Sequence, residues 1–127
     1  MNNTADFRIK KMSPQFIVTD LDRSIEFYTR QLGFELDFRY QDFYAGIIKD
    51  GYSIHFKLGQ PSPDEKQKRR NNEDLDIIFL IDDIENSYKE ISLRAIEIIQ
   101  PLRDAPYGKE FYIADPDGYS LGFVAEN

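Results

Sequence analysis

The chain repeats itself, and the repeat limits what it can fold into. Phe16-Ile-Val-Thr-Asp20-Leu21 lines up with Phe79-Leu-Ile-Asp-Asp83-Ile84 at a shift of 63 residues, and Ser24 then falls on Ser87. With one residue deleted in the second helix, Gly33-Phe34-Glu35-Leu36 falls on Ala95-Ile96-Glu97-Ile98. Each half reads strand, helix, then three strands. Four strands and one helix bury only one face of a sheet, so the other face needs a partner or a ligand. Two such units set edge to edge would curve their sheets around a cleft and leave the helices outside. The expected fold is therefore α+β, with two tandem βαβββ modules. Module one covers 13–58, a connector 59–74 and module two 75–124, within a single domain over 1–127. A chain of 127 residues with 41% hydrophobic content can bury such a core.

Local patterns support this layout. Ser13–Thr19 reads as a strand with Phe16 and Val18 on one face. Asp20 is a good N-cap for a helix whose apolar face carries Leu21, Ile25, Tyr28 and Leu32, and Gly33 stops it. Phe34, Leu36, Phe38 and Tyr40 alternate with Glu35, Asp37 and Arg39, which predicts one half-buried strand. Asp50-Gly51 joins Phe43–Lys49 to Tyr52–Leu58 as a hairpin turn. Gly59–Asp74, with Pro61, Pro63 and the basic run Lys66–Arg70, reads as a polar, solvated connector. Leu75–Ile81 follows as a strand, and Asp82-Asp83 as a cap. Ile84–Arg94 is a helix with Ile84, Tyr88, Ile91 and Ala95 inward. Ile96–Gln100 is a strand and Pro101–Gly108 a loop. Lys109–Ala114 and Tyr119–Val124 are strands joined by the turn Asp115-Pro-Asp-Gly118.

Charge and composition narrow the function. Sixteen Lys and Arg against 23 Asp and Glu give a net charge of −7. An acidic surface repels phosphate backbones and anionic lipid heads, so neither nucleic acid nor membrane is an expected partner. There is no Cys, so disulfides, thiolate metal sites and Cys nucleophiles are excluded. Met1–Lys11 lacks the apolar stretch of a signal peptide, and no run approaches the ~18 apolar residues of a membrane span. A cytoplasmic protein is the expectation. No Gly-x-Ser-x-Gly, phosphate-cradling Gly-rich loop or His-Glu-x-x-His is present.

The motifs Val18-Thr-Asp20-Leu21-x-x-Ser24-x-x-Phe27-Tyr28, Leu32-Gly33-Phe34, Asp82-Asp83-Ile84, Phe111-Tyr112 and Asp115-Pro-Asp-Gly118 occur in order from Ser13 to Val124. In this the chain resembles the vicinal oxygen chelate superfamily of glyoxalases, bleomycin-resistance proteins and extradiol dioxygenases. The resemblance implies four inward metal positions, which fall on Ser13, His55, Asp76 and Gly122. Gly122 has no donor and Ser13 offers only a neutral hydroxyl. Two strong ligands are fewer than a catalytic divalent-metal site usually has, about three. The expectation is thus no metal and no cofactor. It points to sequestration of a flat or cationic ligand, antibiotic-resistance-like, with a homodimer as the assembly that the resemblance implies. A glyoxalase-type lyase or isomerase, or a dioxygenase with a degenerate metal site, is the alternative.

Six residues are the candidate ligand contacts. His55 is the only histidine; it is either a ligand-contacting or acid–base group, or a hydrogen-bonded strand histidine without a role. Asp76 either attracts a cation or pairs with Lys57 or Arg39. Glu110 begins a strand and either meets ligand or the opposite module. Phe43, Tyr107 and Tyr112, together with Tyr44, would form aromatic walls, or else core or dimer contacts.

Overall fold

The computed structural model describes residues 3–127; of the leader reading, Met1 and Asn2 lie outside the described residues. Eight strands form two four-stranded mixed sheets. In the first, β1 (Gln15–Val18), β2 (Glu35–Tyr40), β3 (Tyr44–Lys49) and β4 (Tyr52–Leu58) run in the order β1-β4-β3-β2. In the second, β5 (Ile77–Leu80), β6 (Ile98–Ala105), β7 (Gly108–Ala114) and β8 (Ser120–Glu126) run β5-β8-β7-β6. The repeat is thus a topological repeat. Phe16 of β1 pairs in parallel with Phe56 of β4, and Phe79 of β5 with Phe123 of β8. No helix among the described residues is long and apolar enough to cross a membrane.

The first helix, α1 (Leu21–Glu26), starts at Asp20, whose carboxylate accepts the Arg23 N–H at 3.1 Å. It widens into a π turn over Phe27–Gln31. A π turn accommodates one extra residue without breaking the helix. This is the residue that the second half lacks in the sequence repeat. α3 (Ile84–Ser92) is regular and ends sooner than the spacing predicts, so Ala95 is exposed beyond it. Asp83 occupies its N-cap position in a left-handed conformation (φ 50°) and makes no side-chain cap, contrary to the expectation.

α1 and α3 each pack on one face of their own sheet. Val18, Tyr28, Ala45, Ile47, Ile54, Phe56, Phe111, Ile113 and Leu121 are buried there, and both modules share one continuous core. The Asp50-Gly51 hairpin has both residues at positive φ (53° and 85°), as a primed two-residue turn requires.

Three segments differ from the sequence reading. The connector contains a helix, α2 (Pro63–Asn71), with Ser62 as N-cap and Pro63 in the first turn. Proline is favoured there because its missing N–H would be unpaired in any case. The predicted loop over Pro101–Gly108 is mostly strand. β6 runs through Pro101 as a sheet edge, where proline is tolerated, with register shifts on both sides of Gln100. Finally, β2 bulges between Leu36 and Phe38. Leu36 lies opposite Ile47 on the helix side, whereas Phe38 lies opposite Gly46 on the other face. The simple alternation is broken, and two aromatics move to the helix-free side.

The modules join edge to edge, but only half of the seam is latched. The free edge of β1 is capped by Tyr119, whose hydroxyl donates to the Ile17 carbonyl (2.8 Å) and accepts the Ile17 N–H (3.0 Å). Its ring stacks on Phe16 at 4.3 Å. Asp117 accepts from Thr19 and Arg23. Buried Tyr28 donates to Asp115 at 2.7 Å. By strand register, Tyr52 is the first-module counterpart of Tyr119. It is 78% exposed. On that side a cavity of about 750 Å³ opens between Met12, Phe34 and Tyr52 of module one and β5 and α3 of module two.

Candidate functional site

The helix-free face of the first sheet carries an aromatic shelf. Phe38 and Tyr40 come from β2 because of the bulge. Tyr44 comes from β3 and His55 from β4. Phe38 and Tyr44 lie nearly parallel (16°, 6.1 Å between centroids), and the His55 ring stands perpendicular to Phe38 (86°, 5.0 Å). Gly46 makes this possible. It lies opposite both Phe38 and His55 in the ladder. A Cβ at Gly46 would overlap the Phe38 ring, so the glycine lets that ring lie down on the sheet. The Tyr44 hydroxyl accepts from the Gln15 side-chain amide at 3.1 Å and meets His55 Nδ1 at 2.9 Å. Lys57 lies directly across from Tyr44.

The second sheet carries a polar cluster on its own helix-free face. Glu110 is only 2% exposed. It accepts from Arg103 Nε (2.8 Å), from the Tyr112 hydroxyl (2.9 Å) and from the Tyr107 hydroxyl. Arg103 also reaches Glu73 (3.1 Å) and Gln100 (3.1 Å). Burial pushes the Glu110 carboxyl up, but its three hydrogen-bond donors outweigh burial and hold it below the ordinary range. The same contacts raise the partners. Hydrogen bonding to Glu110 takes Tyr107 to about 12. Tyr112 rises through burial first and Glu110 second.

The four positions implied for a metal are each occupied by other interactions. Ser13 bonds Ser53 through their hydroxyls. His55 Nδ1 is engaged by Tyr44. Asp76 bonds Arg69 (3.0 Å) and accepts the Ser120 N–H (2.8 Å). Its partner is thus Arg69 of α2, not Lys57 or Arg39. Gly122 is covered by the Leu75 side chain, which fills the space that a side chain there would need. Among the described residues no three His, Asp or Glu side chains come together to hold a metal ion. The donor set does not fit a chelated metal.

The six sequence-predicted contacts therefore fall into separate groups. Glu110, Tyr107 and Tyr112 form one cluster. His55 belongs to the shelf, Asp76 to an ion pair with α2, and Phe43 sits 54% exposed in the turn before β3. The seam cavity is lined by none of them. Tyr44, a candidate wall residue from sequence, falls in the shelf beside Phe38 and His55; sequence reasoning missed Phe38, Tyr40 and Gln15. It also missed Arg103, because that stretch read as loop. The basic run is not simply solvated. Lys66 sits 3.7 Å over the Tyr119 ring and donates to the Asp117 carbonyl, and burial lowers its pKa. Arg70 bonds Glu97 at 2.8 Å. These contacts fasten α2 to the second module.

Comparison with solved structures agrees with this architecture. The bleomycin-binding protein of bleomycin-producing Streptomyces verticillus, solved with copper(II)-bleomycin, superposes with a TM-score of 0.71 at 20% identity, over 96% of this chain and 100% of that one. TioX from Micromonospora sp. ML1 superposes at 0.73, also 20% identical, over 93% and 99%. A glyoxalase/bleomycin resistance protein/dioxygenase from Alicyclobacillus acidocaldarius gives 0.72 at 20%, over 92% and 91%. At such identities the likeness is one of fold. No curated protein matches the sequence. The profile of one family does match, over residues 11–123. With its two βαβββ modules and that match across most of its length, the chain belongs to the glyoxalase/bleomycin resistance protein/dioxygenase superfamily.

Proposed function

We propose that this protein binds a small planar molecule on the helix-free face of its first sheet, without a metal, in the manner of a sequestering protein. The observation that carries the reading is the Phe38–Tyr40–Tyr44–His55 shelf. Four ring side chains are gathered on one sheet face, and a glycine holds the central ring flat. Ring faces presented this way stack on flat ligands, and such pairs contribute about 0.5–1.5 kcal/mol beyond area burial. Gly122 under Leu75, together with the engaged Asp76 and His55 Nδ1, supports the metal-free form of the reading. The bleomycin complex of the Streptomyces verticillus protein shows a small-molecule ligand on a related fold.

Of the two ligand classes expected from sequence, the geometry favours the flat one over the cationic one. Asp76, which was to attract a cation, and Glu110, which was to meet ligand, are already neutralised by Arg69 and Arg103. In this reading the Glu110 cluster braces the second sheet and Tyr107 is part of that brace. We further propose a homodimer. Ile78 and Leu80 on the unpaired edge of β5 are each 63% exposed, beside exposed Met12, and a second chain would bury them. Size-exclusion with light scattering reads that state, and a monomer at high concentration contradicts it. A thermal-shift screen of planar heteroaromatic compounds tests the binding. A ligand bound only by the folded state raises the midpoint. Tyr40→Ala, at an exposed position, should abolish the shift without changing the unliganded midpoint. A shift that survives Tyr40→Ala and Phe38→Ala alike would overturn the proposal.

A further inference from the structure

Resting on that reading of the shelf, we propose that the site selects an aromatic ring bearing a hydrogen-bond acceptor and no positive charge, held by the Nε2–H of His55. The Gln15 amide donates to the Tyr44 oxygen at 3.1 Å. With that oxygen already accepting one hydrogen, the Tyr44 O–H is assigned as the donor to the group in reach, His55 Nδ1 at 2.9 Å. A ring nitrogen that accepts a hydrogen bond carries no hydrogen itself, so the neutral imidazole holds its hydrogen on Nε2. Among the described residues no buried side-chain polar atom is without a partner. Nε2 makes no hydrogen bond among the described residues, so it is not sealed from solvent. The histidine is thus fixed as a donor toward whatever occupies the shelf.

Orientation and charge agree with this assignment. The imidazole stands at 86° to Phe38. A ring lying on Phe38 therefore meets an N–H that can lie in the ligand's own plane, where a heteroaromatic lone pair lies. Two charged residues share this face by register, Glu35 across from Ile48 and Lys57 across from Tyr44; the one beside the Tyr44–His55 pair is Lys57. It disfavours a cation and tolerates an anion. Glu110 and Asp76 are committed to arginines. Quinoline carries the required acceptor. N-Methylquinolinium has the same rings, no acceptor and a positive charge.

The two probes are titrated separately into the isotope-labelled full chain near neutral pH, and backbone amide shifts are followed together with the His55 side-chain nitrogens. The expected result is an unprotonated Nδ1 and a protonated Nε2 in the free protein. Quinoline should perturb Phe38, Tyr44 and His55 and bind about five-fold or more tighter than N-methylquinolinium, the value of one neutral hydrogen bond. Tyr44→Phe should release the tautomer lock and shrink that preference, while quinoline still perturbs Phe38. A His55 with its proton on Nδ1, or equal or tighter binding of N-methylquinolinium at the shelf, would overturn the acceptor assignment and leave the shelf reading intact. If neither probe perturbs the shelf, the reading beneath it fails as well.

Discussion

Replacing Tyr28 with phenylalanine tests the latch that joins the two modules. The ring is fully buried and packs against Phe34 and Phe56. Phenylalanine keeps that packing, so the change isolates the hydroxyl. That hydroxyl donates to Asp115 Oδ2 at 2.7 Å, while Oδ1 accepts the backbone N–H groups of Asp117 and Tyr119, both at 2.9 Å. Burial raises the Asp115 carboxyl from 3.8 to about 6, and the Tyr28 hydrogen bond is the largest effect opposing that rise. A hydrogen bond to a charged group contributes roughly 1.5–3 kcal/mol, and a neutral one about 1. The sign with pH follows from the raised value. Stability from a carboxyl raised on folding is fully present below its unfolded value and is lost as pH rises through its folded value. In the native protein the gap between 3.8 and about 6 corresponds to roughly 3 kcal/mol lost across that window. Without the hydroxyl the folded value climbs further, so the variant loses more as pH rises past 6. Urea denaturation of both proteins at about pH 5.5 and about pH 8.5 reads this directly. The variant should be less stable by about 1 kcal/mol at the acid pH and by roughly 2–3 kcal/mol at the alkaline one. An equal deficit at both, or a larger one in acid, would refute the claim that an ionising Asp115 is held across the seam by Tyr28.

Other substitutions probe the remaining pieces. Gly108→Ala places a Cβ against the carbonyl oxygen of Ala125, at a φ of 150° that suits glycine; denaturant titration should show a loss of about 2 kcal/mol or more. Arg103→Ala strips the paired cation from buried Glu110 and should lower the urea midpoint; adding Glu110→Gln should recover part of the loss. Gly46→Ala should lift the Phe38 ring off the sheet, costing about 1–3 kcal/mol and weakening planar ligands.

Much of the architecture could be read from the residues because its signals are local. The Asp20 cap, the Asp-Gly hairpin and the duplicated Phe-x-x-x-Asp-Leu/Ile pattern each specify one element, and together they specify two modules. The indel in the repeat was legible too, although its form as a π turn was not. Local signals failed where the outcome depended on a neighbouring strand. Nothing in Phe34–Tyr40 announces a bulge, because the extra residue is defined only against β3. β6 looks like a loop because edge strands accept proline and polar side chains. Missing that strand hid Arg103 opposite Glu110, so the acidic residue was read as free to meet a ligand. α2 was overlooked although Ser62-Pro63 is a helix start, because its exposed surface carries no apolar stripe. His55 was legible from its phase between Ile54 and Phe56. Its partners Tyr44, Phe38 and Gln15 come from other strands, and only the folded register brings them together.

The most direct test is a crystal structure of the protein with the strongest planar binder from the thermal-shift screen. The ring should be stacked on Phe38 and Tyr40, with an acceptor atom on His55 Nε2 and no metal between ligand and protein. A ligand seated instead in the seam cavity beside β5, or coordinated through a metal held by His55 and Asp76, would contradict the proposal.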